Sequence, residues 1–278
     1  MYKAINQWSF PAAMDALACL REAARLGYQG FEPAFYEEGP LSLQGYAPCC
    51  KALAQASRDE GIALTSLASG LYWKYPLTAA SQEGRAKALD VLKAHLDAAA
   101  ELGVEDVLVV PGTVGSGFWG EGENTSYDQA YERSQALLQK IEPHARALGV
   151  RIGVENVWNN FLLSPLEMAR FLDELNSPYI KAYFDVGNVI LFGFAEQWIR
   201  ILGRRISRVH VKDFKRAIGN LDGFCDLLAG DVNFPAVMQA LRETGYDGPL
   251  TAEMGAYRHA PLGLAQQTSA ALSMILSM

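Results

Sequence analysis

The chain has 278 residues, of which 50% are hydrophobic and 20% are charged, so it can bury a large core. This length fits two average domains or one α/β barrel, a fold that commonly takes about 250 residues. The formal net charge of −7 argues against non-specific nucleic-acid binding, which depends on a basic surface.

Short apolar runs alternate with helical patterns along the whole chain. The first run, Tyr2–Asn6, precedes a predicted helix that opens at Pro11 and stops at Gly27, as is typical of proline at helix starts and glycine after helix ends. The other predicted strands are 30–32, 62–69, 106–111, 151–155, 181–185, 206–210 and 249–253. The other predicted helices are 46–60, 81–102, 127–148, 164–175, 195–202, 234–244 and a closing helix from Pro261 onward.

Strands that alternate with helices in this way predict a parallel sheet with right-handed crossovers. The pattern has eight such units, and no glycine-rich dinucleotide fingerprint follows the first strand, which favours a closed barrel over an open sheet. No linker, low-complexity run or block of charge divides the chain. We therefore expect residues 1–278 to form a single catalytic domain with an α/β fold, a (β/α)8 TIM barrel.

Four of the predicted strands end in residues of the kinds that bind metal ions, namely Glu155, Asp185, His210 and Glu253. Parallel strands place their last residues at the same end of the barrel, where α/β enzymes carry their chemistry. Three carboxylates and one imidazole suit Mn²⁺ best, with Mg²⁺, Co²⁺ or Zn²⁺ as alternatives. Glu32 also ends a strand, and we interpret it as a polar group that a loop satisfies.

Five segments carry a resemblance to known proteins: GVEN at 153–156, FDVGN at 184–188, VHVKD at 209–213, GDVNF at 230–234 and LTAE at 250–253. With them, the chain resembles the xylose isomerase-like TIM-barrel superfamily, in the branch of sugar and sugar-phosphate isomerases and epimerases. It looks most similar to the D-tagatose 3-epimerase and L-ribulose/L-xylulose-5-phosphate 3-epimerase families. The resemblance covers essentially the whole chain, is strongest from Glu155 onward, and is weak for the substrate.

This resemblance implies a metal-dependent epimerase or isomerase of a ketose or ketose phosphate. The ion would chelate the carbonyl and neighbouring hydroxyl oxygens, and would stabilise an enediolate during 3-epimerisation. By motif, Glu155 and Glu253 would bind the metal together with Asp185 and His210. The same two glutamates would be the catalytic acid–base pair, one removing a proton and the other returning a proton to the opposite face.

Further positions are expected to bind substrate. Arg216 follows His210 by six residues, as in the tagatose-epimerase pattern, where that arginine contacts substrate oxygens. Asn188 stands where those epimerases have a histidine, and this departure leaves the identity of the sugar open. Lys212 either pairs with Asp213 or reaches the site.

Four tryptophans lie at or just after predicted strand ends: Trp8, Trp73, Trp119 and Trp158. Apolar walls with a few fixed polar groups suit a sugar pocket, and we assign Trp8 and Trp119 to it. Basic residues in the last two strand-to-helix loops, Lys212, Lys215, Arg216 and Arg258, make phosphate binding an open alternative. His95 and His144 lie within predicted helices and are interpreted as structural or surface residues.

Other functions use the same fold. An aldose–ketose isomerase of the hydroxypyruvate-isomerase type, or an inosose-like polyol dehydratase, could use the same four ligands. An abasic-site endonuclease needs several histidines and a basic surface, whereas this chain has four histidines and is acidic. A barrel that binds ligands without a metal is a further alternative.

The sequence also predicts the compartment and the partners. The cysteines Cys19, Cys49, Cys50 and Cys225 match no metal-binding spacing, and Cys49 and Cys50 are adjacent, which is awkward for mutual pairing. Neither a signal peptide nor a membrane-spanning run is visible, so we expect a cytoplasmic enzyme with free thiols. We expect a small-molecule partner, a ketose or ketose phosphate, with no nucleic acid and no membrane. A homo-oligomer, either a dimer or a tetramer, is compatible with the chain.

Overall fold

The computed structural model describes residues 1–115 and 124–278. Its strands are β1 (Tyr2–Asn6), β2 (Gly30–Glu32), β3 (Ala63–Leu64), β4 (Asp106–Val109), β5 (Arg151–Glu155), β6 (Ile180–Asp185), β7 (Ile206–Val211), β8 (Asp213–Phe214), β9 (Phe224–Cys225) and β10 (Pro249–Ala252). Its α-helices are α1 (Ala16–Arg25), α2 (Ala47–Glu60), α3 (Leu71–Lys74), α4 (Gln82–Leu102), α5 (Tyr127–Leu148), α6 (Pro165–Leu175), α7 (Ala195–Leu202), α8 (Phe234–Thr244) and α9 (Pro261–Leu276).

Eight parallel strands form one sheet in the order β3-β2-β1-β10-β7-β6-β5-β4. The two ends of this sheet meet, because Leu67, just beyond β3, forms a parallel bridge with Val107 of β4. There the Leu67 N–H donates to the Asp106 carbonyl oxygen, and the Leu108 N–H donates to the Leu67 carbonyl oxygen, both at 3.0 Å. Around the sheet, α1, α2 and α4 to α9 contact one another in chain order. The predicted (β/α)8 barrel is confirmed.

Local capping explains where several helices begin. The side chains of Asp15, Ser81 and Ser164 each accept a hydrogen bond from the backbone N–H three residues further on. The predicted start of the first helix at Pro11 is therefore wrong, because the Asp15 cap places it at Ala16. No helix within residues 1–115 and 124–278 combines the length and apolar character that a membrane span requires.

Three further local predictions differ from the structure. The predicted strand 62–69 has only two residues of regular strand, β3, and continues as isolated bridges at Leu67 and Ala68. The short helix α3 was not predicted. The predicted loop 214–230 contains part of the antiparallel hairpin β8–β9, in which Asp213 pairs with Cys225. Short elements of this kind carry too few residues for a periodic pattern.

Polar side chains fill part of the barrel interior. Asp106 is fully buried and accepts hydrogen bonds from the Arg151 guanidinium at 2.9 and 2.6 Å. The Arg208 guanidinium lies 2.8 Å from the same carboxylate. Gly153 leaves room for the ring of Tyr183, because a Cβ at position 153 would lie 2.8 Å from that ring. Close approach therefore requires a glycine in β5.

His95 in α4 is a buried structural histidine. Its Nδ1 lies 2.8 Å from the Tyr72 hydroxyl, its Nε2 lies 3.1 Å from the Leu67 carbonyl oxygen, and its ring stacks on Phe35. Because a carbonyl oxygen only accepts, we assign the proton to Nε2 and the Tyr72 hydroxyl donates to Nδ1. Burial lowers the pKa of His95 to about 3, so the ring is neutral in the folded protein.

We expect His95→Gln to reduce the dependence of the free energy of unfolding on pH below pH 6.5. The pKa falls from 6.5, its ordinary value, to about 3 on folding. Above pH 6.5 the histidine is neutral in both states and does not change the free energy of unfolding. Between pH 6.5 and about 3 only the unfolded chain binds the proton, so the free energy of unfolding falls by up to about 1.4 kcal/mol per pH unit. Urea denaturation at about pH 7.5, 6 and 5 measures the free energy of unfolding. At about pH 7.5 the free energy of unfolding of the variant is roughly 1–3 kcal/mol lower, because hydrogen bonds are lost, but it falls less steeply with decreasing pH. Parallel declines would contradict the buried neutral histidine.

Candidate metal centre and active site

The C-terminal ends of four neighbouring strands bring four polar side chains together. One ligand atom from each of Glu155, Asp185, His210 and Glu253 lies within 4.8 Å of the others. Glu155, Asp185 and His210 end or nearly end β5, β6 and β7, and Glu253 directly follows β10. The structure thus assembles the four residues that the sequence pattern singled out. Glu155, Asp185 and His210 are buried, and Glu253 is half-buried.

The unsatisfied atoms of this cluster point to a cation. Within the part of the chain that the structure describes, Glu155 Oε1, Asp185 Oδ2 and His210 Nδ1 are buried and make no hydrogen bond of normal geometry. Buried polar atoms nearly always have such a partner. His210 Nδ1 lies only 2.8 Å from Glu253 Oε2 and 3.8 Å from Glu155 Oε1. Three carboxylates and one imidazole nitrogen aimed at one point fit a divalent metal ion.

The electrostatics of the cluster separate its two glutamates. Burial raises the pKa of Glu155 and of Asp185 above the ordinary values. Burial also acts to raise the pKa of Glu253, but the charges and hydrogen bonds of Lys212 and His210 outweigh it and lower that pKa. A bound divalent cation would favour the ionised form of all three carboxylates.

Glu32 contacts the imidazole of His210 at Nε2, the ring nitrogen that does not face the other three residues of the cluster. Its carboxylate lies 2.7 Å from His210 Nε2 and is fully buried at the end of β2. A carboxylate that accepts here holds a proton on Nε2 and directs Nδ1 towards Glu253 and Glu155, where it can bind a metal. Burial acts to raise the pKa of Glu32, but His210, Ser66 and Tyr183 outweigh it and lower that pKa, so Glu32 is ionised.

The interpretation of Glu32 as a loop-satisfied polar group is wrong. Its partners are side chains inside the barrel: besides His210, it accepts hydrogen bonds from Asn6, Ser66 and Tyr183. Its place at the end of a strand, like the four ligands, was the signal that could have identified it. Sequence reasoning missed Asn6, Ser66 and Tyr183 altogether, because their role depends on which side chains point inward.

Two asparagines fix the strand end that carries Asp185. The side chain of Asn156 donates to the Asp185 carbonyl oxygen and accepts from the Asp185 N–H, both at 2.8 Å. The Asn188 N–H donates to Asp185 Oδ1 at 2.7 Å, and the Asn188 side chain donates to the Asn156 carbonyl oxygen at 3.0 Å. One oxygen of Asp185 is therefore held by the backbone, which leaves Oδ2 for the cluster.

Lys212 reaches the cluster rather than pairing with Asp213. Its ammonium group lies 3.2 Å from Asp185 Oδ2 and 3.0 Å from Glu253 Oε2. Burial acts to lower the pKa of Lys212, but the nearby carboxylates of Asp185, Glu253 and Glu155 raise it above its ordinary value. Lys212 therefore stays protonated and offsets part of the negative charge.

Asp213 organises the loop that follows β7. Its buried carboxylate accepts hydrogen bonds from the N–H groups of Phe214, Gly230 and Val232, at 2.8, 2.9 and 3.2 Å. Gly230 is required there, because a Cβ would lie 2.2 Å from Asp213 Oδ1. Burial raises the pKa of Asp213, while the three N–H donors favour its ionised form. The Asp213 carboxylate thus holds three backbone N–H groups of the loop around it.

A cavity of about 530 Å³ opens next to Lys212 and Glu253. Asn188, Trp73 and Trp158 line it as well. The indole N–H of Trp158 donates to the Asn188 carbonyl oxygen at 2.8 Å, which anchors this wall. A polar floor beside aromatic walls is the usual construction of a small-molecule site.

The remaining predicted substrate contacts lie elsewhere or outside the described residues. The Arg216 guanidinium donates to the carbonyl oxygens of Ile190 and Gly193, at 2.8 and 3.1 Å, and lies over the ring of Phe194. It therefore braces two loops. Trp8 packs on a small buried cluster that includes Tyr183, and it lines a different cavity from the one beside Glu253. Trp119 lies outside the described residues.

Several proteins of known function are similar to this chain. The L-ribulose-5-phosphate 3-epimerase UlaE of Shigella flexneri is 24% identical over 258 residues, which are 90% of this chain and 86% of that protein. A D-psicose 3-epimerase of Clostridium cellulolyticum, solved with D-tagatose, superposes with a TM-score of 0.82 at 18% identity and covers 99% of both chains. An L-ribulose 3-epimerase gives a TM-score of 0.80 at 20% identity, over 99% of this chain and 94% of its own.

The family model described as "Xylose isomerase-like TIM barrel" matches residues 20–276. That range includes the four residues of the cluster as well as Glu32. It leaves out residues 1–19, which contain β1 and the start of α1, and the last two residues. The chain belongs to the xylose isomerase-like TIM-barrel family.

Proposed function

We propose that the protein is a divalent-metal-dependent isomerase that epimerises a ketose at C3, with residues 1–278 as one catalytic domain. The observation that carries this proposal is the pair Glu155 and Glu253, which share a four-ligand cluster beside the cavity. The printed functions of the relatives, a 3-epimerase of L-ribulose 5-phosphate and 3-epimerases of free ketoses, support it. The free cysteines support a cytoplasmic location.

The chemistry needs an acidified C–H bond and two opposed carboxylates. When bound, the divalent ion, for which we propose Mn²⁺, would polarise the carbonyl and adjacent hydroxyl oxygens and so acidify the C3–H bond. Glu155 and Glu253 approach the cluster from two sides, because β6 and β7 lie between their strands. One carboxylate takes the C3 proton, and the other, protonated, gives a proton to the opposite face. The two residues exchange roles between the two directions of the reaction.

Asn188 and Lys212 are proposed to bind the sugar. Both line the cavity directly beside the metal ligands, and Lys212 is a protonated hydrogen-bond donor. Arg216 acts in this proposal through the loops that it braces, because two of its N–H groups already donate to carbonyl oxygens.

An aldose–ketose isomerase or a polyol dehydratase could use the same ligands, and product analysis separates these reactions. Deuterium at C3 of a ketose with an intact carbon skeleton supports epimerisation, whereas loss of water supports a dehydratase. Nucleic acid is a poor partner for this cavity, since Asp213, Asp226 and Glu253 line it.

We expect Glu155→Gln and Glu253→Gln each to reduce C3–H exchange by roughly 100- to 10,000-fold, because an amide can neither take nor give the proton. NMR of L-ribulose and D-tagatose in D₂O with saturating Mn²⁺ measures the exchange. Glu132→Gln, an exposed change on α5, is the matched control and retains the wild-type rate. Full exchange in Glu253→Gln would end the two-glutamate mechanism.

We also expect the protein to be stabilised by divalent ions. At a free ion concentration of about 100 times Kd, binding to the folded state adds about 2.7 kcal/mol. Calorimetric Tm values with chelator, Mn²⁺, Mg²⁺, Co²⁺ and Zn²⁺ measure this effect and rank the ions. Asp185→Asn weakens the stabilisation, because it removes a buried carboxylate oxygen of the cluster. Equal Tm values with chelator and with every ion would contradict the metal site.

We expect Glu32→Gln to weaken metal binding by about 10- to 100-fold, since Glu32 orients His210. Chelator competition in the absence of substrate measures Kd directly. Asp106→Asn is the matched control: it alters an equally buried carboxylate, whose ion-pair partners are Arg151 and Arg208 and not residues of the cluster. This control should lower Tm and leave the metal Kd unchanged. An unchanged Kd in Glu32→Gln would show that the contact with His210 has no positioning role.

A further inference from the structure

The charged groups around the cavity are almost all acidic. In the described part of the chain, its lining contains one cationic side chain, Lys212, and three carboxylates, Asp213, Asp226 and Glu253. Lys212 already contacts Asp185 and Glu253, at 3.2 and 3.0 Å. Its charge is therefore offset within the cluster, and a dianionic group in the cavity would meet no free cation there.

The other basic residues of the surrounding loops do not line the cavity. The Arg216 guanidinium is bonded to the carbonyl oxygens of Ile190 and Gly193. Lys215 and Arg258 are exposed and lie outside the lining. The segment 116–123, which lies outside the described residues, has the sequence SGFWGEGE and so contributes no lysine or arginine.

Three backbone N–H groups of the loop after β7 already donate to a carboxylate of the chain itself. Barrels often bind phosphate through the loops that follow the seventh and eighth barrel strands. Here the N–H groups of Phe214, Gly230 and Val232 all donate to Asp213. Asp213 itself lines the cavity, so a second anion would face this carboxylate. These three N–H groups are therefore not available to a phosphate.

Apart from Asn188, Cys225 and Gly255, the rest of the described wall is apolar. It includes Trp73, Trp158, Leu221, Phe224, Met254 and Leu264. Placing a phosphate dianion against such a surface without a partner is strongly unfavourable. The C–H faces of an uncharged sugar pack well there.

We propose that the site selects uncharged ketoses and rejects their phosphate esters. This inference rests on the proposed epimerase function and names its substrate class. It departs from the printed substrate of the L-ribulose-5-phosphate 3-epimerase UlaE of Shigella flexneri. The reason is electrostatic: the only cationic side chain of the described lining contacts the cluster, and three N–H groups of the loop after β7 donate to Asp213.

The test compares L-ribulose with L-ribulose 5-phosphate on the Mn²⁺-loaded wild-type enzyme, by C3–H exchange in D₂O. We expect kcat/KM for the free sugar to exceed that for the ester by at least about 100-fold, which corresponds to about 2.7 kcal/mol. An equal or higher value for the ester overturns the inference and leaves the epimerase function standing. Exchange with neither sugar contradicts the epimerase function instead.

Calorimetric binding of the same two sugars, and of inorganic phosphate, decides the inference without turnover. Tighter binding of L-ribulose supports it, and tighter binding of the ester or of phosphate to this site overturns it. Competition between the ester and L-ribulose shows whether the two share the site. Tight ester binding that L-ribulose displaces is the overturning result.

Variants that add a cation to the wall test the electrostatic cause. Cys225→Lys and Leu221→Lys each place an ammonium group at a lining position, and Cys225→Met is the uncharged control of similar length. We expect the ratio of kcat/KM for the ester to that for the free sugar to rise about tenfold or more in at least one lysine variant and to stay unchanged in Cys225→Met. The same ratio in all three variants and the wild type overturns the proposed cause.

Discussion

The hydrogen bond from His210 to Glu32 is the interaction on which the site depends. The two groups are 2.7 Å apart and fully buried, in a barrel interior that offers little solvent screening. Because the Glu32 carboxylate can only accept, it sets the tautomer and the ring orientation of His210. Tyr183 and Ser66 also donate to Glu32, which keeps the carboxylate ionised and in place.

Charge compensation governs the rest of the cluster. Glu155, Asp185 and Glu253 place three carboxylates within a few ångströms, and Lys212 supplies one positive charge to them. One ammonium group cannot balance three neighbouring carboxylates, so a divalent ion completes the balance in our proposal. Because the charge of Lys212 is already paired with Asp185 and Glu253, it does not compensate a phosphate in the cavity. In our proposals, metal binding and the choice of an uncharged substrate both follow from this one arrangement of charges.

The sequence by itself determined the barrel and the ligand-type residues at its mouth. Alternation of apolar runs with helical patterns predicts parallel strands, and parallel strands must end at one face. The strand ends of the sequence therefore place Glu155, Asp185, His210 and Glu253 together at one face of the barrel. The first helix was placed too early, because Pro11 was a weaker local signal than the Asp15 cap.

Only the tertiary structure decided which other side chains meet this cluster. Glu32 lies 178 positions before His210, and no local pattern reports a contact of that length. The same holds for the choice of Lys212 between Asp213 and the cluster, and for Arg216, whose guanidinium turns towards loop carbonyls. A strand period tells which residues share a face, but packing between distant strands and loops decides which of them touch. The periodicity of the chain thus determines at which face of the barrel the site lies, and the tertiary contacts determine its chemistry.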